Sequence, residues 1–112
     1  MPIDPETFNF VRGRVYYAII DPKIGEKPFL VVSNNGRNNA FKTALVVRLT
    51  STDKKIEVPT IVETTHQDPF YGRVLCDDIF ELWPDEVRRD GGALTPETMM
   101  RVGAGLKAAL AL

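Results

Sequence analysis

The sequence predicts a mainly β domain of the α+β class, a small twisted barrel of about five to seven strands with one C-terminal α-helix. Three observations lead to this prediction. Short runs of aromatic and β-branched residues are separated by turn residues such as Asp21-Pro22. The spacing of apolar residues changes to a helical period only after Thr95. The chain has 112 residues, which suffices for one domain with a hydrophobic core.

Five segments have the composition of strands, and they span residues 15–20, 28–33, 43–50, 58–63 and 72–82. The first segment ends at the turn Asp21-Pro22. Residues 28–33 form a nearly continuous apolar run, which is typical of a strand buried on both faces in a closed barrel. Pro59 restricts the fourth segment to a sheet edge or a bulge. The fifth segment is long enough for one strand or a pair.

The C-terminal segment is predicted to be a helix that begins at Thr95-Pro96. A hydroxyl before a proline suits a helix start, because the hydroxyl accepts a free backbone N–H and the proline lacks one. Apolar residues then recur every three or four positions in one stripe, made of Met99, Val102, Leu106 and Leu110. Gly103 and Gly105 each weaken a helix by about 1 kcal/mol relative to Ala. They indicate either close packing or simple tolerance.

The composition predicts one cytoplasmic globular domain. Hydrophobic residues make up 44% and charged residues 26% of the chain, which excludes disordered and fibrous classes. No apolar run approaches the roughly 18 residues that a membrane span needs. Residues 1–9 carry acids in place of the features of a signal peptide. We expect a polar N-terminal extension over residues 1–11 and a single domain over residues 12–112.

Cysteine usage and charge narrow the function classes. Cys76 is the only cysteine, which excludes an internal disulfide, and its apolar neighbours predict a small buried residue in preference to a catalytic thiol. Residues 1–60 hold nine Lys or Arg against six Asp or Glu, whereas residues 61–112 hold five against nine. This asymmetry reflects either two solvated faces or a basic surface for phosphates in the first half.

No metal site or cofactor is expected. His66 is the only histidine, and the adjacent residues Asp77 and Asp78 point to opposite faces of a predicted strand. The sequence has neither a Ser/His/Asp set nor a glycine-rich phosphate loop. Metal-free acid–base chemistry remains.

One reaction open to such a domain is metal-free cleavage of RNA. It needs a proton acceptor for the ribose 2′-hydroxyl, cationic donors for the phosphate and an acid for the leaving 5′-oxygen. The candidate cations are Arg12, Arg14, Lys27, Arg48 and Arg73; the hydroxyl donors are Thr50 and Ser51; the proton acceptors are Glu26, His66 and Asp77. Composition alone supports only a mostly β domain.

Six short motifs in order give a more specific indication. They are Arg12-Gly13-x-Val15-Tyr16, Asp21-Pro22, Pro28-x-Leu30-Val31-Val32-Ser33-Asn34, Leu49-Thr50-Ser51, Gly72-x-Val74-Leu75-Cys76-Asp77-x-Ile79 and Leu94-x-Pro96-Glu97-Thr98-Met99. From Arg12 to the C-terminus the chain resembles the MazF/PemK (Kid) family of toxin endoribonucleases.

The resemblance implies an SH3-like barrel, a homodimer and growth arrest through sequence-specific cleavage of single-stranded RNA, with messenger RNA as the expected target. Attack by the 2′-hydroxyl would leave a 2′,3′-cyclic phosphate. The implied partner is a cognate antitoxin that lays an acidic extended segment across the RNA groove. DNA would be reached only indirectly, through the antitoxin.

The resemblance also implies a catalytic set of Lys27, Thr50 and Asp77. Thr50 matches the family's active-site threonine, and Lys27 stands where the family usually has the arginine of an Arg-Pro pair. Lysine is one compact charge, whereas arginine offers a planar fork to two phosphate oxygens. The loop between Asp21-Pro22 and Lys27-Pro28 is several residues shorter than the family's common form and lacks its Glu-Gln segment.

A second carry-over concerns Asp77, which matches the acid of an Arg-x-Asp motif in one branch of the family. Leu75 occupies the arginine's place, and Arg73, on the same face by strand alternation, is a possible substitute. The alternative for Arg73 is an ordinary surface ion pair. The predicted RNA-binding residues are Arg12, Arg14, Glu26, Asn34, Arg48, Ser51, Lys54, Lys55 and Arg73.

Two alternatives stay open. His66 is either a solvated loop residue or a catalytic group, and the aromatic residues Tyr16, Tyr17 and Phe29 either stack on unpaired bases or pack in the core. The second function class is a binding module of the same fold that is silent as a nuclease, or that poisons DNA gyrase as CcdB does. Lys27 and its shortened loop motivate this alternative.

Overall fold

The computed structural model describes residues 3–52 and 57–112. In chain order the elements are β1 (Arg14–Ala18), β2 (Lys27–Val31), α1 (Asn35–Phe41), β3 (Ala44–Thr50), β4 (Ile61–Glu63), β5 (Arg73–Leu82), β6 (Val87–Ala93) and α2 (Pro96–Leu110), with a 3₁₀ turn at Pro84–Glu86. The six strands form one antiparallel sheet in the order β4-β5-β3-β2-β1-β6. The predicted mainly β fold with a C-terminal helix is therefore confirmed.

The sheet is open, because its end strands β4 and β6 do not pair with each other in the described residues. The middle of β2 is nevertheless buried on both faces, as predicted. Two separate cores produce this burial. One core, on the helix face, contains Leu30, Val47 and Val102. The other core lies on the opposite face of the sheet, which we call the N-terminal face because the N-terminal segment packs on it. This core contains Phe29 and Val31, since successive strand residues point to opposite faces.

The N-terminal segment packs on the sheet. Phe10 is only 4% exposed, and Ile3 and Phe8 pack against the same core. The rings of Phe8, Phe10 and Tyr16 meet edge to face, with centroids 4.9 to 5.7 Å apart. Such aromatic pairs contribute about 0.5–1.5 kcal/mol each beyond area burial. The part of the predicted extension from Ile3 onward thus covers one end of the N-terminal face.

Two elements were not predicted. Helix α1 follows β2, because the Asn34 side chain accepts hydrogen bonds from the backbone N–H groups of Gly36 and Arg37 and so caps a helix start. Strand β6 has little apolar alternation, since only Val87 in it is buried. It forms by pairing with β1, a long-range contact that local patterns do not reveal.

Helix α2 begins as predicted, with the Thr95 hydroxyl accepting a hydrogen bond from the N–H of Thr98 at 3.2 Å. The two helix glycines differ. A Cβ on Gly105 would lie 2.7 Å from the Cys76 sulfur, whereas a Cβ on Gly103 would meet no atom within 4 Å. Close packing therefore applies to Gly105 and tolerance to Gly103. No helix within the described ranges is long and apolar enough to span a bilayer.

Cys76 is fully buried, as predicted. Burial, with a smaller contribution from the negative charge of Asp77, raises the pKa of its thiol to about 11. The neutral thiol at pH 7 is a packing group against α2 and not a nucleophile.

Candidate active site

Strand register places three polar residues side by side at one end of the sheet. Thr50, the last residue of β3, pairs with Arg73, the first residue of β5. Arg73 in turn pairs with Glu63, the last residue of β4. Directly opposed residues of antiparallel strands have Cβ atoms about 4.5–5.5 Å apart and share a face of the sheet. The three side chains therefore start from neighbouring points on one face.

Lys27 extends this row on the other side of Thr50. Phe29 of β2 pairs with Arg48 of β3, so two residues further on, where β2 starts and β3 ends, Lys27 lies opposite Thr50. The predicted catalytic residues Lys27 and Thr50 are thus brought together. We refer to Lys27, Thr50, Arg73 and Glu63 as the polar row.

The polar row lies on the N-terminal face. Lys27 is two residues from Phe29, and Thr50 is four residues from Val46, and both of these apolar residues belong to the core of that face. Helix α2 packs against β4 and β5 through the core of the opposite face, to which Val102 belongs. The helix therefore leaves the polar row uncovered.

The backbone of Thr50 is fixed by Gly72. A Cβ on Gly72 would lie 2.2 Å from the Thr50 carbonyl oxygen, and the φ of Gly72 is +154°, so only glycine fits there. Thr64 holds Gly72 in place: its N–H and hydroxyl donate to the Gly72 carbonyl at 2.9 and 3.1 Å, and its oxygen accepts from the Gly72 N–H at 2.9 Å. This clamp fixes the end of β3.

The Thr50 hydroxyl is oriented by the next turn of chain. Its oxygen accepts a hydrogen bond from the N–H of Thr52 at 3.1 Å. This bond uses one acceptor position of the oxygen and leaves the hydroxyl proton available for a separate acceptor. Ser51, between them, is exposed and next to the row.

Arg73 forms an ion pair with Glu63. The Arg73 Nη2 lies 3.0 Å from the Glu63 Oε1, and the side chains are 14% and 70% exposed. The guanidinium is thus largely covered, and the backbone that carries it pairs with that of Thr50. An ion pair and a site role are compatible for this residue.

Lys27 and Arg48 line a small slot next to the row, with a volume of about 60 Å³. Phe29 and Phe80 belong to its wall, and their rings meet edge to face with centroids 5.8 Å apart. The Arg48 Nε is buried and has no hydrogen-bond partner in the described part of the chain. The slot therefore combines an aromatic wall with two cations.

The predicted carboxylates Glu26 and Asp77 lie next to or within strands that carry the polar row, β2 and β5. Glu26 directly precedes Lys27, and its carboxylate accepts a hydrogen bond from Arg89 at 3.4 Å. Asp77 is exposed in a bulge of β5 that spans residues 76–78, where pairing with β3 jumps from Leu75 to Ile79. Bulges often occur beside active sites.

Other predicted RNA-binding residues lie at the opposite end of β1 and β2. Arg14 donates to Asp90 at 3.0 Å, Arg12 donates through its Nε to the Val32 carbonyl at 3.2 Å, and Asn34 caps α1. Because β2 extends from Lys27 to Val31, roughly 13 Å of strand separates these residues from the polar row. RNA binding by them stays a prediction.

Other residues with predicted roles lie in a loop, in the core or outside the described ranges. His66 is exposed in the loop between β4 and β5, as expected for a solvated loop residue, and a catalytic role for it stays untested. Lys54 and Lys55 lie outside the described residues. Tyr16 and Phe29 are buried in the core of the N-terminal face, so core packing holds for both.

The loop that carries Gly72 is tied to α2 by Asp68. Its carboxylate accepts hydrogen bonds from the N–H groups of Thr65 and Thr95 at 2.8 Å and from the Thr98 hydroxyl at 2.7 Å. Partial burial acts to raise the pKa of Asp68, but these hydrogen bonds outweigh it and lower the pKa below 3.8. The anionic carboxylate is therefore the form that holds the loop.

The sequence did not single out Glu63, Thr64 or Asp68 as contributors to the site. Gly72 appeared only as part of a motif. Their roles depend on strand register and on long-range hydrogen bonds, and the one local signal was a glycine between Tyr71 and a β-strand. No three His, Cys, Asp or Glu side chains within residues 3–52 and 57–112 are grouped to hold a metal ion.

Comparison with known proteins identifies the family. Residues 11–110 match the family described as PemK-like, MazF-like toxin of type II toxin–antitoxin system. A curated relative, endoribonuclease MazF1 of Mycobacterium bovis, is 41% identical over 102 residues, which are 91% of this chain and 93% of that protein.

Solved structures agree with this assignment. An endoribonuclease from mycobacterial species has a TM-score of 0.84 at 37% identity, and the alignment covers 94% of each chain. An endoribonuclease solved with its cognate antitoxin, also mycobacterial, has a TM-score of 0.84 at 40% identity and covers 92% of this chain and 96% of that one. These names favour the nuclease over the silent or gyrase-directed alternative. The resemblance predicted from the motifs is confirmed: the chain belongs to the PemK-like, MazF-like toxins of type II toxin–antitoxin systems.

Proposed function

We propose that this protein is an endoribonuclease toxin that cleaves single-stranded RNA at the polar row. The observation that carries the proposal is the register that sets Thr50 between Lys27 and Arg73. A hydroxyl donor between two cations suits the negative charge that develops on a phosphate during cleavage. Membership of the toxin family and the endoribonuclease names of the relatives support the same activity.

In the proposed reaction the ribose 2′-oxygen attacks the adjacent phosphorus. A bond forms between the 2′-oxygen and phosphorus, and the bond from phosphorus to the 5′-oxygen breaks. The 2′-hydroxyl gives its proton to a carboxylate base, and the 5′-oxygen receives a proton from solvent water as it leaves. The products are a 2′,3′-cyclic phosphate and a 5′-hydroxyl, and no metal takes part.

The residues divide this work by their chemistry. Lys27 places a compact ammonium near the phosphate, and Arg73 offers planar N–H donors from the other side. Thr50 donates a hydrogen bond from its hydroxyl group to a non-bridging oxygen of the phosphate. Asp77 and Glu26 are the proposed proton acceptors, and kcat values of Asp77→Asn and Glu26→Gln would separate them.

The slot beside Lys27 supplies a place for a nucleobase next to the cleaved bond. Unpaired bases are commonly recognised by stacking on aromatic walls and by hydrogen bonds to their edges. The half-buried Phe80 would provide the aromatic wall, with Phe29 packed against it in the core, and Arg48 would provide a donor. We infer that this slot contributes to the sequence preference, with messenger RNA as the expected substrate.

The proposed partners follow the family. A mycobacterial relative has been solved in complex with its cognate antitoxin, and we propose such a partner here, with an acidic extended segment that competes with RNA for the cations. We also propose a cytoplasmic homodimer that contacts DNA only through the antitoxin. Light scattering at micromolar concentration tests the dimer, since a monomeric mass would contradict it.

Incubation with single-stranded RNA in excess EDTA tests the central claim. We expect cleavage to persist, with 2′,3′-cyclic phosphate ends, and we expect Thr50→Val to lose it. Intact substrate, or products that appear only with magnesium, would contradict the proposed reaction. Mapping the 5′ ends produced from a mixed RNA pool would then define the cut site.

A further inference from the structure

Glu63 is the one anion in the polar row, and the proposed reaction gives it no task. We propose that Glu63 is a positioning residue that holds the Arg73 guanidinium beside Thr50. This inference rests on the proposed function, because it assigns Glu63 a part in the same cleavage reaction.

The contact itself supports this role. The Glu63 carboxylate accepts from the Arg73 Nη2 at 3.0 Å, and the Arg73 side chain is 14% exposed. The backbones of Arg73 and Thr50 are paired, so the start of the Arg73 side chain is fixed relative to the Thr50 hydroxyl. An arginine side chain has several rotatable bonds beyond that point, and a carboxylate on the next strand restricts where its charged end lies.

The backbone of Glu63 is held in place by helix α2. Its carbonyl accepts a hydrogen bond from the Arg101 Nη1 at 2.7 Å, and the Arg101 Nη2 donates to the Thr98 hydroxyl oxygen at 3.2 Å. Thr98 is fully buried at the start of α2 and donates to Asp68. A short edge strand is thereby held to the helix. The carboxylate that orients Arg73 is attached to a rigid backbone, although it is 70% exposed.

The negative charge of Glu63 and its distance from Thr50 also support a positioning role. A carboxylate close to a phosphate site repels RNA, so an acid in this row is unfavourable unless it acts through a cation. Glu63 lies two strands from Thr50, which corresponds to about 10 Å between their backbones. Arg73 lies between the two and separates the carboxylate from the phosphate. This arrangement lets Glu63 orient the cation without occupying the substrate position.

The effect should appear in the rate and not in stability. Ion pairs with an exposed partner contribute only about 0–1 kcal/mol to folding. A misplaced catalytic group has a larger effect on turnover. We therefore expect Glu63→Gln to unfold at nearly the wild-type temperature while it cleaves RNA with a kcat lower by about 5- to 20-fold and a nearly unchanged KM.

Glu81→Gln is the matched control. Glu81 is also an exposed strand glutamate paired with an arginine, since its carboxylate lies 3.6 Å from the Arg37 Nη2. It sits near the other end of β5, away from the polar row. We expect Glu81→Gln to keep the wild-type kcat.

A charge swap separates positioning from mere structure. The double variant Glu63→Arg with Arg73→Glu keeps an ion pair between β4 and β5 but moves the cation one strand away from Thr50. We expect it to unfold near the wild-type temperature and to stay at least as inactive as Glu63→Gln. Recovery of wild-type kcat in the swap would overturn the inference, because it would show that only the pair matters.

The outcomes also distinguish the two proposals. If the wild-type protein cleaves no RNA in a mixed pool, the proposed function fails. If the wild-type protein cleaves and Glu63→Gln cleaves at the same rate, the inference about Glu63 fails and the proposed function stands.

Discussion

The two ends of strands β1 and β2 carry similar cations, but these cations have different surroundings. At one end, Arg14 donates two hydrogen bonds to Asp90 at 3.0 and 3.1 Å, and Arg12 donates to a backbone carbonyl. At the other end, the ammonium of Lys27 has no hydrogen-bond or ion-pair partner within the described residues, and the same is true of the Arg48 Nε.

Residue type alone therefore does not decide how readily a cation binds a ligand, because the partners that it already has in the folded protein matter as well. A matched charge such as Arg14 already gains its interaction energy in the folded protein, so moving it to a phosphate requires breaking that contact. A charge such as Lys27, which has no partner among the described residues, would break no such contact when it binds a phosphate. Under the proposed function, we therefore expect RNA binding to change the electrostatic energy most at the end of the sheet that carries the polar row.

The largest expected effect comes from removing that unmatched charge. We expect Lys27→Met to lower kcat by about 10²- to 10³-fold, because a preorganised donor to the developing charge is lost. The unfolding temperature should stay near the wild-type value, since Lys27 has no partner to lose among the described residues. Single-turnover cleavage of a fixed RNA substrate measures the rate.

Lys107→Met is the control for this prediction. It removes an equal charge from the exposed last turn of α2, remote from the row. Equal losses of kcat in both variants would show that net charge, and not the position of Lys27, controls the reaction.

The next largest effect concerns the backbone that supports the polar end. We expect Gly72→Ala to destabilise the fold by about 2–3 kcal/mol, because the new methyl group would clash with the Thr50 carbonyl and alanine is strained at this φ. The activity of the remaining folded protein should also fall, since the end of β3 must move. Urea unfolding measures the first effect and cleavage the second.

Gly25→Ala is a matched comparison, because Gly25 also has a positive φ, +89°, but a Cβ there would meet no atom within 4 Å. It should therefore lose stability without displacing Thr50. If Gly72→Ala proved no worse than Gly25→Ala, the clash would not be what makes Gly72 necessary.

Much of the fold could be predicted because local signals were strong. The aromatic and β-branched runs located β1, β2 and β3, Pro59 correctly placed the short β4 at an edge, and Thr95-Pro96 located the start of α2. Strand β6 could not be predicted, because its polar sequence forms a strand only through pairing with β1. The local sequence of β6 gives no signal for this pairing, because its partner strand β1 is distant in the chain.

The site was predictable only in part for the same reason. Thr50 and Lys27 stood out because motif resemblance marked them, and the sheet register then brought them together. Arg14 looked equivalent to Arg48 in the sequence, since a cation's partner is decided by contacts between distant residues. Asp90, the partner of Arg14, is 76 positions away.

A smaller effect on stability is expected at the end of the sheet where Arg14 pairs with Asp90. Partial burial acts to raise the pKa of Asp90, but hydrogen bonds from Arg14 and the Gly92 N–H outweigh it and lower the pKa. We expect Asp90→Asn to destabilise the fold by about 0.5–1 kcal/mol, in the range of exposed ion pairs, while kcat stays near wild type. Thermal unfolding and single-turnover cleavage together test this. A fall in kcat comparable to that of Lys27→Met would remove the distinction between the two ends.

The smallest and most specific expected effect is a pH dependence of stability, caused by Asp68 in the loop next to the polar row. The loop that carries Gly72 is held by Asp68, whose pKa is lowered in the folded protein by its hydrogen bonds to Thr65, Thr95 and Thr98. A group with a lowered folded pKa stabilises the fold above its unfolded pKa, and this contribution is lost as the pH falls through the folded value. We expect Asp68→Asn to unfold at a lower temperature than wild type at about pH 6, and the difference to shrink as the pH falls below the unfolded pKa of about 3.9 towards the lower folded value. A difference that stayed constant over this range would mean that the side chain's shape, and not its charge, holds the loop.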